Sequence, residues 1–134
     1  MDIGMKILNP FDNEELIEQF HRNYGFDLRK DLKDVNLTKN DFFMFIQDLS
    51  VAFLTDKPKG RLISAHKQRK VYKTRHKDDN RNIGSSGAYR LISMFDADKG
   101  KVYPFHLYHK RSGKKPKSDL TKGEKEIIKK MVRD

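Results

Sequence analysis

In three stretches of the C-terminal half, apolar and polar residues alternate with a period of two. Val71-Tyr72-Lys73-Thr74-Arg75-His76, the segment from Ala88 to Phe95 and the segment from Val102 to His109 therefore read as strands rich in β-branched and aromatic residues. Gly84-Ser85-Ser86-Gly87 supplies permissive backbone ahead of the second strand. Asp96 to Lys101, containing Gly100, turns the second strand into the third, so the three predict an antiparallel meander.

Elsewhere the period lengthens to that of a helix. Leu16, Ile17 and Phe20 give one apolar face to a helix capped by Asp12 or Asn13 and running to about Asn23, with Gly25 closing it. Phe42, Phe45, Ile46, Leu49 and Phe53 form a single stripe on a second helix, from Thr38 to about Asp56, which Lys57-Pro58-Lys59-Gly60 ends. Thr121 and Glu124 make a capping box that opens a last helix with Ile127, Ile128, Met131 and Val132 on its inner side. Met5 to Leu8 reads as a short strand, 26–36 as a charged irregular segment, and 61–70 as a basic connector. The expectation is one α+β domain over 1–134, with a small antiparallel sheet and helices packed on one face. Residues 1–60 are mainly helical, 70–110 form the meander and 121–133 the C-terminal helix.

Alternation also says which side chains share a face. Lys73 and Arg75 share a side of the first strand, Arg90 lies on one side of the second, and His106 and Tyr108 fall together on the third with Phe105 and Leu107 opposite. If the register puts these sets on one side, they converge on a single concave surface. Fixed cations beside a phenol and an imidazole suit a phosphodiester better than a neutral metabolite. Pro104 removes a ladder donor and predicts that the third strand is an edge or is bulged. A bulge would bring Tyr103 or Phe105 beside Arg90 in place of His106.

Charge sharpens this picture. The 134 residues carry a net charge of +10, but 1–58 hold 7 Lys/Arg against 11 Asp/Glu, so the excess lies wholly in the second half. Such asymmetry points to a polyanion-binding half on a near-neutral scaffold, and the tyrosines among the cations suit stacking on exposed bases. The densest run, Tyr108 to Lys117, is expected to be held at the sheet margin by the helix that follows. With no cysteine, no apolar run long enough for a bilayer and no signal-type leader, the expected setting is cytoplasmic and away from membranes. His76, His106 and His109 lack helical spacing and acidic or thiol companions, so neither a metal nor another cofactor is expected.

Taken in order, the Lys-x-Arg strand at 73–75, the Gly-Ser-Ser-Gly turn before Tyr89-Arg90-Leu91-Ile92, the strand ending at Tyr108-His109-Lys110 and Ser118-Asp119-Leu120-Thr121 opening a helix resemble the RelE-type toxins of bacterial toxin-antitoxin systems. The HigB-like subgroup is the most similar. The likeness covers about residues 70–134. It implies a RelE-like curved sheet and a ribosome-dependent mRNA endonuclease, held inactive by a cognate antitoxin that is usually a helix-turn-helix protein. Its partners would be the ribosome and mRNA. By position it implies Lys73, Arg75, Arg90, Tyr108 and Lys110 as catalytic residues. His76, Lys77, Arg81, His109, Arg111, Lys114 and Lys115 are the candidate RNA-binding residues around them.

The chemistry of such a set is metal-independent. Arg75 and Arg90 are suited to the equatorial phosphoryl oxygens, Lys73 or Tyr108 to assisting the 2′-hydroxyl, and a histidine or Lys110 to protonating the leaving 5′-oxygen. Lysine and tyrosine are poor bases at neutral pH unless neighbouring cations depress them. Two other classes fit the same residues. One is a noncatalytic relative that binds nucleic acid or protein, such as a gyrase-inhibiting ParE-like toxin, and the other a protein whose basic surface is purely structural.

Overall fold

The computed structural model describes residues 6–54 (main chain alone for 50–54), 60–77 and 89–134. The chain runs β1 (Lys6–Ile7), α1 (Glu14–Tyr24), α2 (Leu28–Asp34), α3 (Lys39–Leu54), β2 (Gly60–His66), β3 (Arg69–His76), β4 (Tyr89–Asp96), β5 (Lys101–His109) and α4 (Lys122–Met131). The five strands form one sheet in the order β1-β5-β4-β3-β2. Arg81, the Gly84 to Gly87 turn, the 57–59 helix stop and the Phe53 side chain lie outside the described residues. Among the described residues no helix is long and apolar enough to cross a membrane.

The α+β class and the antiparallel β3-β4-β5 meander are as the alternation predicts. Two features differ from that expectation. β1 pairs with β5 in parallel, so the sheet is mixed. Helices also cover both faces rather than one, because neighbouring residues of β4 feed separate cores. Leu91 packs with Leu28 and Leu32 of α2 and with Phe42, Phe45, Ile46 and Leu49 of α3. Ile92 packs on the other side with Leu120, Ile128, Met131 and Val132. A strand with apolar residues on both faces needs a cover on each, and α4 is the second cover.

Two elements are absent from the expectation. The segment 26–36 contains α2, started by the Asp27 carboxylate accepting from the Arg29 backbone N–H at 3.1 Å. Its apolar signal is only the buried pair Leu28 and Leu32, too short a pattern to stand out among charges. The basic connector 61–70 contains β2, joined to β3 by a tight turn with Lys67 at φ 53°. Being an edge strand with Arg61, Leu62 and Ala65 exposed, β2 carries no alternating burial for its sequence to record.

Helix starts follow their caps. Thr38 and Asp41 exchange backbone and side-chain hydrogen bonds at 3.1 and 3.2 Å, and Thr121 and Glu124 do the same at 3.1 and 2.8 Å. Gly25 ends α1 at φ 80°, a left-handed conformation in which a side chain would be strained. Asn13 occupies the N-cap of α1 without a side-chain cap bond.

Candidate nucleic-acid interface

Strand register places the predicted side chains in rows. Arg75 of β3 lies opposite Arg90 of β4, which lies opposite Tyr108 of β5. The next row is Lys73, Ile92 and His106. The register does shift between Ile92 and Ser93, where Phe105 is the extra residue before Pro104 meets Ser93. The bulge therefore leaves His106 and Tyr108 in phase with Arg90 and moves the change of phase to the other end. Tyr103 and Phe105 both end up on the α4 side, with Phe105 no longer opposite His106.

Sharing a face does not give these groups equal access. Arg75 is exposed, whereas Lys73, Arg90 and Tyr108 keep 9%, 5% and 4% of their surface. The Lys73 ammonium lies 3.3 Å from an Asp119 oxygen. The second Asp119 oxygen accepts from the Lys125 ammonium at 3.0 Å, and the first also accepts from the Leu120 backbone N–H at 2.8 Å. Burial works upward on this carboxyl, but these donors outweigh it and hold it at about 2. Arg90 donates to the Tyr89 carbonyl at 3.3 Å, and burial and the charge of Arg75 bring it below the usual guanidinium value.

Tyr108 carries the clearest unsatisfied group. Its hydroxyl is buried and has no hydrogen-bond partner among the described residues. Burial, reinforced by the charges of Asp119 and Glu124 against that of Arg90, pushes the phenol up to about 12. It therefore keeps its proton at neutral pH and is a donor, not a base. The Lys117 ammonium sits 4.8 Å from its ring centre.

Below this row, His106 ties three elements together. Its Nδ1 is 2.8 Å from Asp31 of α2, and its Nε2 is 3.3 Å from Glu124 of α4 and 3.1 Å from the Lys117 ammonium. Asp31 also accepts from the Leu107 backbone N–H at 3.0 Å, and Lys117 reaches both Glu124 oxygens at 2.6 and 2.7 Å. Burial alone would lower His106, but the bonds to Asp31 and Glu124 raise it above the ordinary imidazole value. Tyr108, His106, Lys117 and Glu124 line a cleft of about 530 Å³ that α1 and α2 wall on the far side.

The remaining candidates divide by face. His76 is 5% exposed and packs on Phe45 of α3, with its Nε2 2.9 Å from the Thr74 hydroxyl. Burial brings it down to about 4, because the exposed Asp48 carboxylate 3.7 Å away is too well solvated to compensate. His109, 1% exposed, accepts from the backbone N–H groups of Arg111 and Ser112 at 3.0 and 2.8 Å. Both histidines are sealed on the α3 side of the sheet and present no surface to a polyanion, contrary to their place in the expected RNA-binding set. Alternation places them there, since each is one residue out of phase with Arg75 and Tyr108.

Lys77, Lys110, Arg111, Lys114 and Lys115 are exposed, and Arg81 lies outside the described residues. The loop after β5 is pinned at both ends of its basic run. Lys114 N–H bonds the Asp34 carbonyl at 3.0 Å, Lys117 N–H bonds the His109 carbonyl at 3.3 Å, and Gly113 passes the Asp34 carbonyl at φ 94° where a Cβ would stand 2.8 Å from that oxygen. The sequence did not single out Asp31, Lys117, Asp119 or Glu124 as members of the site. Only the docking of α2 and α4 brings them there. Among the described residues no group of three or more His, Asp or Glu is placed to hold a metal ion.

No protein-family model matches the chain, and neither a curated protein nor a solved structure aligns with it significantly.

Proposed function

We propose that this chain binds RNA on the α4 side of its sheet and cleaves it, as a ribosome-dependent mRNA endonuclease of the RelE type neutralised by a cognate antitoxin. The observation that carries the reading is the row Arg75, Arg90, Tyr108, contributed by three adjacent strands and flanked by the basic loop. Exposed Arg75 meets the incoming phosphate, and Arg90 beside it supplies a second guanidinium for the charge that grows on the equatorial oxygens. Tyr108, protonated at neutral pH and without a partner for its hydroxyl, is suited to donating to the phosphoryl group or the departing 5′-oxygen. Lys73 lies one row away, beside Asp119, and is suited to stabilising charge. Lys110 sits past the end of β5, so its contribution would be to binding.

Expression without a partner, followed by mapping of mRNA 5′ ends in translated and untranslated messages, tests this reading. Cuts confined to translated codons, abolished by Arg75→Ala together with Arg90→Ala, are expected. Growth arrest with intact messages would overturn it. That outcome belongs to the second reading, a noncatalytic relative such as a gyrase-inhibiting ParE-like toxin. The engagement of Lys73 by Asp119 and, among the described residues of the row, a Tyr108 phenol raised out of the range of a base favour that alternative.

A further inference from the structure

The Asp119 carboxylate is held the way a bound anion would be. It lies between the ammonium groups of Lys73 and Lys125 and receives the Leu120 backbone N–H, on the sheet face where Tyr108 stands opposite Arg90. Its charge reaches Tyr108, whose hydroxyl has no hydrogen-bond partner among the described residues. Lys73 is nearly buried, but Asp119 itself is 43% exposed on its side chain, so a rotation about its own bonds takes the carboxylate into solvent. The neighbouring chain need not move. Lys117 is bonded to Glu124 on one side of Asp119, and the Thr121 cap fixes α4 on the other.

We propose that Asp119 is an intramolecular stand-in for an RNA phosphate, occupying the Lys73–Lys125 seat until a phosphodiester displaces it. This rests on the reading that the α4 side of the sheet takes RNA, and adds to it a competing anion that sets how tightly RNA is held. Displacement exchanges one carboxylate for one phosphate on the same two cations, so the empty-handed protein discriminates against weakly held anions. A phosphate carried on a longer strand, with Arg75 and the basic loop as further anchors, overcomes the competition.

The test is the affinity of a short single-stranded 2′-O-methyl RNA, which cannot be cleaved through its 2′-oxygen, measured by fluorescence anisotropy over a range of salt. Asp119→Asn keeps the oxygen that accepts from Leu120 and removes the charge. It should bind about 5- to 10-fold more tightly at each salt concentration with the log–log slope unchanged, because the same phosphates are contacted once the carboxylate has been displaced. Asp98→Asn, an equal change of net charge in the β4–β5 turn, should change affinity by less than about 2-fold. On a Lys73→Met background the gain from Asp119→Asn should vanish. An Asp119→Asn protein that binds no better than Asp98→Asn overturns the proposal, as does a gain that survives loss of Lys73.

Arg75→Ala separates the two levels. If it leaves RNA affinity unchanged, the RNA-binding reading of the face fails. If it weakens binding while Asp119→Asn gains nothing, only the stand-in role fails. Should Asp119→Asn not fold by circular dichroism, Asp119→Ser, whose hydroxyl still accepts from Leu120, takes its place. Failure of both to fold makes the carboxylate a structural group and overturns the proposal.

Discussion

Tyr108 and His109 are consecutive residues with opposite assignments, and single substitutions separate them. The Tyr108 hydroxyl is buried without a partner, so Tyr108→Phe removes an unsatisfied group and should leave thermal stability unchanged or slightly higher. If the phenol donates during cleavage, the same variant should lose on the order of 10²-fold in RNA cutting. His109→Ala is expected to behave in the opposite way. It takes the acceptor away from two backbone N–H groups and the edge-on contact from Tyr89, and should cost about 2–4 kcal/mol in chemical denaturation. Arg75, exposed at the end of the row, should report directly on phosphate binding. Arg75→Ala is expected to reduce the salt slope of RNA binding by about 0.7 with no change in melting temperature.

Among the elements, the loop and α4 act as one unit. Thr121→Ala removes the acceptor for the Glu124 N–H and should cost about 1 kcal/mol, read as a lowered melting temperature. Glu124 is also the partner of Lys117 and His106, so loosening this cap should weaken RNA binding as well as stability. The cap was legible in the sequence because its four residues are contiguous. By contrast, β2 and α2 were not legible. β2 is defined by pairing with β3, and an exposed edge strand needs no apolar alternation. α2 is defined by a cap and two leucines that only the edge of the sheet makes meaningful. Pro104 did announce irregularity in β5, but local sequence could not say on which side of it the phase would change.

For the molecule as a whole, the buried imidazoles of His76 and His106 give opposite dependences on pH. His76 is held at about 4 when folded against about 6.5 when unfolded, so between those values the unfolded chain binds the extra proton. Stability should fall as pH drops from 6.5 to 4. A gap of that size corresponds to about 3 kcal/mol, and His76→Leu should flatten the profile in urea titrations across that window. His106 is raised instead, so its contribution is fully present below pH 6.5 and is lost as pH climbs through its folded value. His106→Gln should therefore destabilise the protein more at pH 6 than at pH 9.

Strand period, helix stripes and caps were written in the sequence, because each depends on residues within a few positions of one another. Which residues share a side within each strand, Lys73 with Arg75 and His106 with Tyr108, was written there too, but strand register and the place of the β5 bulge decided that these sets meet Arg90 on one face. The chain folds α4 over that face, α2 along the edge of β5 and α3 over the other side. Those long-range contacts alone decided that Arg75 stays open, that Asp119 sits on Lys73, and that His76 and His109 are sealed away. Burial and ion pairing depend on what arrives from about 30 or more residues away, about which a local pattern carries no information.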